Sequence, residues 1–242
     1  MKKLLIFGCS HSKGSNEKSD TNEETFNIKS KGWYHYVDYF KDYEITVFAT
    51  GGQGYWAWYH ILLMLQDTGK LKNYTEIWIQ ETFEPRPSLL NIKSVENMHF
   101  FEADGIKKYI VDEIQMARLD QPSYNSEKVW PELKKYITPY NFYKNIIQLI
   151  AQDMQELCTK MNISGYVWSM GLNTMKCKEF KRLPLEKVYE EKLSVPLKNK
   201  DNLLTLIDPV RWEGVDRPGH FGHQTEAGNK YIGNLINKAL CQ

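Results

Sequence analysis

The sequence predicts an α/β fold, a parallel sheet covered by helices on both faces. Three observations carry this. Five short apolar runs recur along the 242 residues. Segments with apolar side chains at helical spacing separate them. And the chain opens with Lys2, Lys3, Leu4, Leu5, Ile6 and Phe7 running into Gly8-Cys9-Ser10-His11-Ser12, the way a buried parallel strand ends at a turn.

Taken in order, the first strand covers Lys3 to Gly8. Lys13 to Ser30 is polar, rich in Asn, Glu, Lys, Ser and Thr, and reads as a loop over the strand's carboxyl end. Gly32 to Phe40 puts Trp33, Val37 and Phe40 on one helical face. The second strand is Glu44 to Ala49. A helix over Tyr55 to Leu65 follows, with Trp58, Ile61, Leu62 and Leu65 as its apolar stripe. Glu76 to Gln80 is the third strand. The stretch from Pro85 to Pro139, rich in Pro, Tyr and charge, predicts an insertion (about 85–139) that is helical over Val95 to Leu119. Tyr143 to Met161 carries Ile146, Ile147, Ile150, Met154 and Leu157 at helical spacing. The fourth and fifth strands are Gly165 to Met170 and Leu203 to Ile207. A last helix starts at Thr225 as N-cap and runs to Leu240, burying Ala227, Tyr231, Leu235, Ile236 and Ala239. The reading is one domain over residues 1–242.

Composition narrows the function. A net charge of +1 gives no surface for a polyanion, so no nucleic-acid partner is expected. No run approaches the roughly 20 apolar residues of a membrane span. The Lys2-Lys3 start mimics a signal peptide, but its apolar run of about six residues falls short of the usual 7–15 and no small-residue cleavage site follows. Cys9, Cys158, Cys177 and Cys241 are scattered without metal-ligand spacing. Together these predict a reduced, cytoplasmic setting. Gly51-Gly52-Gln53-Gly54 is not the Gly-x-Gly-x-x-Gly fingerprint, and no P-loop lysine pattern exists, so no cofactor is expected. Aromatic content of 13% fills the core and also suits a cleft that stacks on sugar rings.

In an open α/β sheet, chemistry collects beyond the carboxyl ends of the strands. Ser10 stands there, after a glycine that permits a sharp turn. A serine hydroxyl needs a base within hydrogen-bond reach to become a nucleophile. His223 is the candidate: it lies in His220-Phe221-Gly222-His223-Gln224-Thr225-Glu226-Ala227-Gly228-Asn229, just before the last helix. Alone, Ser10 reads more readily as a turn serine than as a nucleophile. The pair makes an enzyme the leading reading.

Gly8-Cys9-Ser10-His11 resembles the Gly-Asp-Ser-Leu block of the SGNH/GDSL hydrolase superfamily, with Ser10 in the nucleophile position. The segment from His223 to Asn229 is similar to that family's last block, which the catalytic histidine opens. Ala49-Thr50-Gly51-Gly52-Gln53-Gly54 is similar to the block supplying an oxyanion-hole glycine, here Gly52. The blocks keep the family order and span nearly the whole chain. The resemblance implies a three-layer α/β/α, flavodoxin-like fold with a five-stranded parallel sheet. It also implies hydrolysis of small ester groups, such as acetyl groups on sugars or acyl chains on lipids.

Two positions depart from the family pattern. The third block usually reads Gly-x-Asn-Asp, its Asn donating to the oxyanion; here the chain reads Gln80-Glu81-Thr82-Phe83, with Thr82 in the Asn position. Losing one such donor costs about 2.7–4 kcal/mol of transition-state stabilisation. Gln80 or Arg86 turning in would compensate. The family's Asp three residues before the histidine is here His220. Asp216 is the first choice to orient His223, Asp208 the second, and a backbone carbonyl the third. His220 with His223 and Asp216 would also make three metal ligands, but no His-Glu-x-x-His pattern is present and no metal is expected. His220 is assigned to substrate contact or capping, Arg86 equally to substrate contact or to an ion pair with Glu81 or Glu84, Cys9 to packing, His11 to the pocket wall or the surface, and Tyr55 or Trp56 to the pocket. Arg211, Trp212 and Glu213 form one wall of the crevice.

The expectation is a serine esterase acting on a small or glycan ester. Ser10 and His223 would be catalytic, Asp216 would orient the base, and Gly52 with Thr82 would bind the oxyanion. An acyltransferase using the same acyl-enzyme, or an impaired glycan-binding module on the same scaffold, are the alternatives. The oligomeric state is left open.

Overall fold

A computed structural model describes residues 1–18, 24–27, 30–49, 53–81, 88–92, 94–110, 116–118, 140–169, 180–183, 185, 204–206, 221–224 and 226–241. In chain order the elements are β1 (Lys2–Gly8), α1 (Ser10–Lys13), β2 (Ser15–Lys18), β3 (Glu24–Asn27), β4 (Tyr43–Ala49), α2 (Tyr55–Asp67), β5 (Glu76–Glu81) and β6 (Ser88–Leu90). Then come β7 (His99–Ala103), β8 (Ile106–Ile110), β9 (Met116–Arg118), α3 (Tyr140–Lys160), β10 (Ser164–Ser169), β11 (Lys181–Arg182), β12 (Leu204–Leu206), β13 (Phe221–Gln224) and α4 (Glu226–Leu240).

The main sheet has seven strands in the order β11-β10-β5-β1-β4-β8-β7. All pairs are parallel except β7 with β8. Side chains alternate across it, as a strand's two-residue period requires. Leu5, Phe7, Ile77, Ile79 and Val167 pack under α2 and α3 through Trp58, Ile61, Leu62, Ile147, Ala151 and Met154. Leu4, Ile6, Val47, Trp78 and Trp168 face the other way, against Trp33, Phe40 and the α4 residues Ile232 and Ile236. The chain is therefore an α/β sandwich with a core on each face of the sheet. No helix among the described residues is long and apolar enough to cross a membrane.

Of the six mutually parallel strands, the five β4-β1-β5-β10-β11 follow the flavodoxin-like 2-1-3-4-5 order, and β8 extends the sheet beyond β4. The first four coincide with the sequence reading. The fifth does not. Its place is taken by the two-residue strand Lys181–Arg182, paired with Tyr166 and Val167. Leu204–Leu206 instead pairs antiparallel with Phe221–Gln224 in a separate ribbon. A short apolar run marks a strand but says nothing about its partner, because pairing is set by contacts distant in sequence.

Four local expectations are also corrected. Among the described residues of Val95 to Leu119 there is no α-helix; a single 3-10 turn at Val95–Asn97 leads into the hairpin β7–β8, and β9 pairs with β6. The hairpin turns at Asp104 (φ 52°) and Gly105 (φ 74°), the left-handed pair that Asp-Gly favours. Part of the polar stretch after Lys13 is the hairpin β2–β3. Gly32 to Phe40 forms two 3-10 turns, Trp33–Tyr36 and Asp38–Phe40, split by extended Val37, although Trp33, Val37 and Phe40 are buried as their spacing requires. The stripe of α4 is rotated by about one residue: Asn229, Ile232, Gly233 and Ile236 are buried, while Ala227 is exposed. Thr225 lies outside the described residues.

The first 3-10 turn holds His35 beside a buried lysine. Lys108 is 2% exposed, donates from Nζ to the Ser30 carbonyl at 2.7 Å and sits over the Tyr34 ring. Burial first, then the Lys108 and Lys31 charges, push the His35 imidazole down to about 4, against the opposing carboxylates of Asp104 and Glu226. The unfolded chain then binds a proton that the folded chain refuses between pH 6.5 and about 4. Stability is therefore fullest above pH 6.5 and falls as pH drops through that window. Denaturant melts should show a smaller loss between about pH 7 and about pH 4.5 in His35→Leu than in wild type. Equal losses would remove His35 as a cause.

Candidate functional site

Strand order reverses at β1, with β4 on one side and β5 on the other. At such a switch point the loops leave in opposite directions and a crevice opens beyond the carboxyl end. Ser10 stands there, two residues past the last residue of β1, opening the four-residue helix α1. Its side chain is half-buried.

The turn carrying Ser10 is clamped from below. Ser12 is fully buried; its hydroxyl donates to Gln80 Oε1 at 2.8 Å and accepts the Trp33 indole N–H at 2.8 Å. Cys9 directs its backbone N–H (3.5 Å) and its thiol (3.6 Å) at the same Gln80 oxygen. Trp58 donates its indole N–H to the Gly8 carbonyl at 3.2 Å. Such buried polar groups are costly unless paired, so their pairing fixes the turn. Gln80 does not turn into the crevice: it is fully buried, with its amide oxygen committed beneath Ser10. Cys9 packs, fully buried, as its position in the block led us to expect.

Gly8 is required by close approach. A Cβ there would lie 2.3 Å from Ser12 Oγ and 3.2 Å from Gln80 Oε1. Gly8→Ala should displace Ser12 and cost about 1–3 kcal/mol, read by thermal melting. Unchanged Tm would show that the clamp is looser than these distances imply.

Beside this clamp, at the carboxyl end of β5, lies a buried ion pair. Glu81 is 2% exposed and receives Arg182 through two hydrogen bonds, Nη1 to Oε2 at 2.7 Å and Nη2 to Oε1 at 2.9 Å. Tyr55, the first residue of α2, donates its hydroxyl to Glu81 Oε1 at 2.8 Å. Three segments that end at the crevice edge are thus tied to one carboxylate. Sequence reading missed this set. The signal available was Gln80-Glu81 closing a strand otherwise built of Ile77, Trp78 and Ile79, since a charge at such a position is rarely buried without a partner. Tyr55 is buried in this network, Trp56 is half-buried, and Trp58 is core.

His223 lies on β13, which leads into α4. The β12–β13 ribbon packs against β2, and β13 approaches α1, the helix that Ser10 opens, within 8 Å between Cα atoms. Asn229 on α4 closes the same corner, donating its side-chain amide to the carbonyls of Gly14 (3.3 Å) and Lys31 (3.1 Å). Gly52, Thr82, Arg86, Asp208, Arg211, Trp212, Glu213, Asp216 and His220 lie outside the described residues, as do the side chains of His11 and His223. Among the described residues no group of three or more His, Cys, Asp or Glu is placed to hold a metal ion.

No family model matches the chain, and no curated protein matches it. Among solved structures it is similar to one described as the crystal structure of the lipase Lip_vut3 from a goat rumen metagenome. The identity is 10% and the TM-score 0.49, over 99% of this chain and 97% of that chain. The functional reading rests on this chain's own residues.

Proposed function

We propose that this protein is a serine hydrolase of the SGNH/GDSL type that removes small acyl groups, acetyl foremost, from a carbohydrate or related small ester. The observation that carries the reading is the neighbourhood of α1 and β13 at the switch point: residues 10 and 223, more than two hundred positions apart, belong to elements in contact.

In this reading Ser10 Oγ attacks the ester carbonyl while His223 takes its proton and then delivers it to the leaving alcohol. The acyl group passes to Ser10. Water, deprotonated by the same imidazole, then releases the acid and restores the hydroxyl. The oxyanion is received by the Ser10 and Gly52 backbone N–H groups and the Thr82 hydroxyl. Asp216 orients His223, and His220 and Arg86 contact the substrate. The Gln80–Ser12–Trp33 clamp supports this chemistry by holding the turn rigid, since a nucleophile displaced by about 1 Å can lose about 10²-fold in rate.

Thr82 and His220, standing where the family has Asn and Asp, favour a second reading of an impaired glycan-binding module. Hydrolysis of p-nitrophenyl acetate separates the two. The hydrolase reading expects turnover that falls by about 10³-fold or more in His223→Ala. A rate equal in both proteins, with glycan binding retained, would support the binding module. Transfer of the acyl group to an added sugar in place of water would make the protein an acyltransferase with the same two residues.

A further inference from the structure

We propose that this protein associates with a second copy of itself through β7, the two strands pairing antiparallel about a two-fold axis at Phe100 so that one sheet runs through both copies. β7 ends the seven-stranded sheet, and among the described residues no strand lies beyond it.

The hairpin's geometry fixes which backbone groups face outward. The Asp104-Gly105 turn has two residues, so Ala103 and Ile106 form the hydrogen-bonded pair that closes it, and such pairs alternate along the ladder. Phe101 is therefore bonded to Lys108, and His99 to Ile110. Phe100 and Glu102 direct their N–H and C=O groups away from β8. His99, Phe100 and Glu102 are all exposed, so this row is open to an incoming strand.

An open edge invites pairing, and natural sheets guard theirs with a very short strand, a Pro, a Lys or a bulge. The opposite edge follows that rule: β11 is the two-residue strand Lys181–Arg182. β7 does not. It reads His99-Phe100-Phe101-Glu102-Ala103, without Pro or Lys, and its ladder with β8 runs without a shift in register.

The side chains point to a second copy as the occupant. A two-fold axis normal to the sheet keeps each face on its own side, so it can fall at Phe100, Phe101 or Glu102. At Glu102 two carboxylates would meet, and at Phe101 each Phe100 would face a carboxylate. At Phe100 ring meets ring. The Phe100 side chain is 58% exposed, and its ring lies 5.8 Å from that of Tyr109, which stacks on Phe48 at 4.9 Å. An aromatic row thus crosses the sheet and stops at its edge, where the second copy's Phe100 continues it. Glu102 keeps Lys107 as its cross-strand neighbour. Pairing over so short a strand buries less than the roughly 1,200–2,000 Å² of a stable interface, so dissociation is expected at about 10–100 µM.

The test is sedimentation velocity of the full chain from about 2 to about 500 µM, a range that brackets this dissociation, with amide hydrogen exchange by NMR at both ends. A monomer–dimer equilibrium is expected, in which the Phe100 and Glu102 amides gain protection as the dimer forms while Phe101, already bonded to Lys108, gains least. Phe100→Glu sets two carboxylates at the axis and should weaken association at least about tenfold. Glu102→Pro removes an outward N–H without touching a bond to β8, and it should weaken association likewise while Phe100 stays in place. Loss in both variants separates strand pairing from a contact between rings. The exchange readout needs wild type alone and serves if a variant does not fold. A monomer throughout would overturn the self-pairing and leave the edge to an extended segment of another chain. A dimer whose Phe100 and Glu102 amides exchange as fast as the monomer's, or one that either folded variant leaves as tight, would overturn it too.

Discussion

Ser10→Ala will lower kcat/KM for p-nitrophenyl acetate by about 10⁴-fold or more, leaving the rate at or near that of buffer. The change removes one hydroxyl from a half-buried turn residue, so Tm should stay within a few degrees of wild type. The combination is what separates a nucleophile from a structural serine. Ser12 makes the contrast. Its hydroxyl joins Gln80 to Trp33 beneath the turn, so Ser12→Ala takes the acceptor from the buried Trp33 indole N–H and should cost about 1–3 kcal/mol of stability. If both variants melt early and both lose activity in proportion, Ser10 is only part of the clamp.

The largest effect on stability is expected at Arg182. Arg182→Met takes the cationic partner from the Glu81 carboxylate, 2% exposed, to which the Tyr55 hydroxyl still donates. Breaking one side of a buried pair costs about 3–5 kcal/mol. For a chain of this size each kcal/mol lowers Tm by roughly 2–4 °C. Replacing both members, Glu81→Met with Arg182→Met, should recover most of the loss, because the penalty belongs to the unpaired charge rather than to the missing pair. Denaturant midpoints of the two single variants and the double variant measure this coupling. Additive losses would mean that the ion pair ties nothing together. The double variant should still be slower in ester hydrolysis, because Glu81 anchors α2 and β11 next to the Ser10 turn.

The sequence made the parallel strands legible because Leu4 to Phe7, Ile45 to Phe48 (interrupted by Thr46), Ile77 to Ile79 and Tyr166 to Trp168 are near-continuous apolar runs, as buried strands tend to be. Lys181–Arg182 has no such run. It earns its place at the sheet edge through pairing with β10 and through the Glu81 contact, both remote in sequence. The hairpin β7–β8 carries its own signal in Asp104-Gly105, but the helical spacing of Val95 to Leu119 competes with it, and the turn chemistry prevails. The candidate site divides in the same way. Ser10 follows from a strand, a glycine and a serine in succession. Gln80, Ser12 and Trp33 meet only after folding, and each alone reads as a polar or aromatic residue of no distinction.

The most direct measurement is covalent labelling by a fluorophosphonate, with the adduct located by peptide mass spectrometry. One adduct is expected, on the peptide containing Ser10, formed rapidly in wild type and at least ~10³-fold more slowly in His223→Ala. An adduct on another residue, or labelling at Ser10 no faster than at exposed serines of the denatured chain and indifferent to His223, would contradict it.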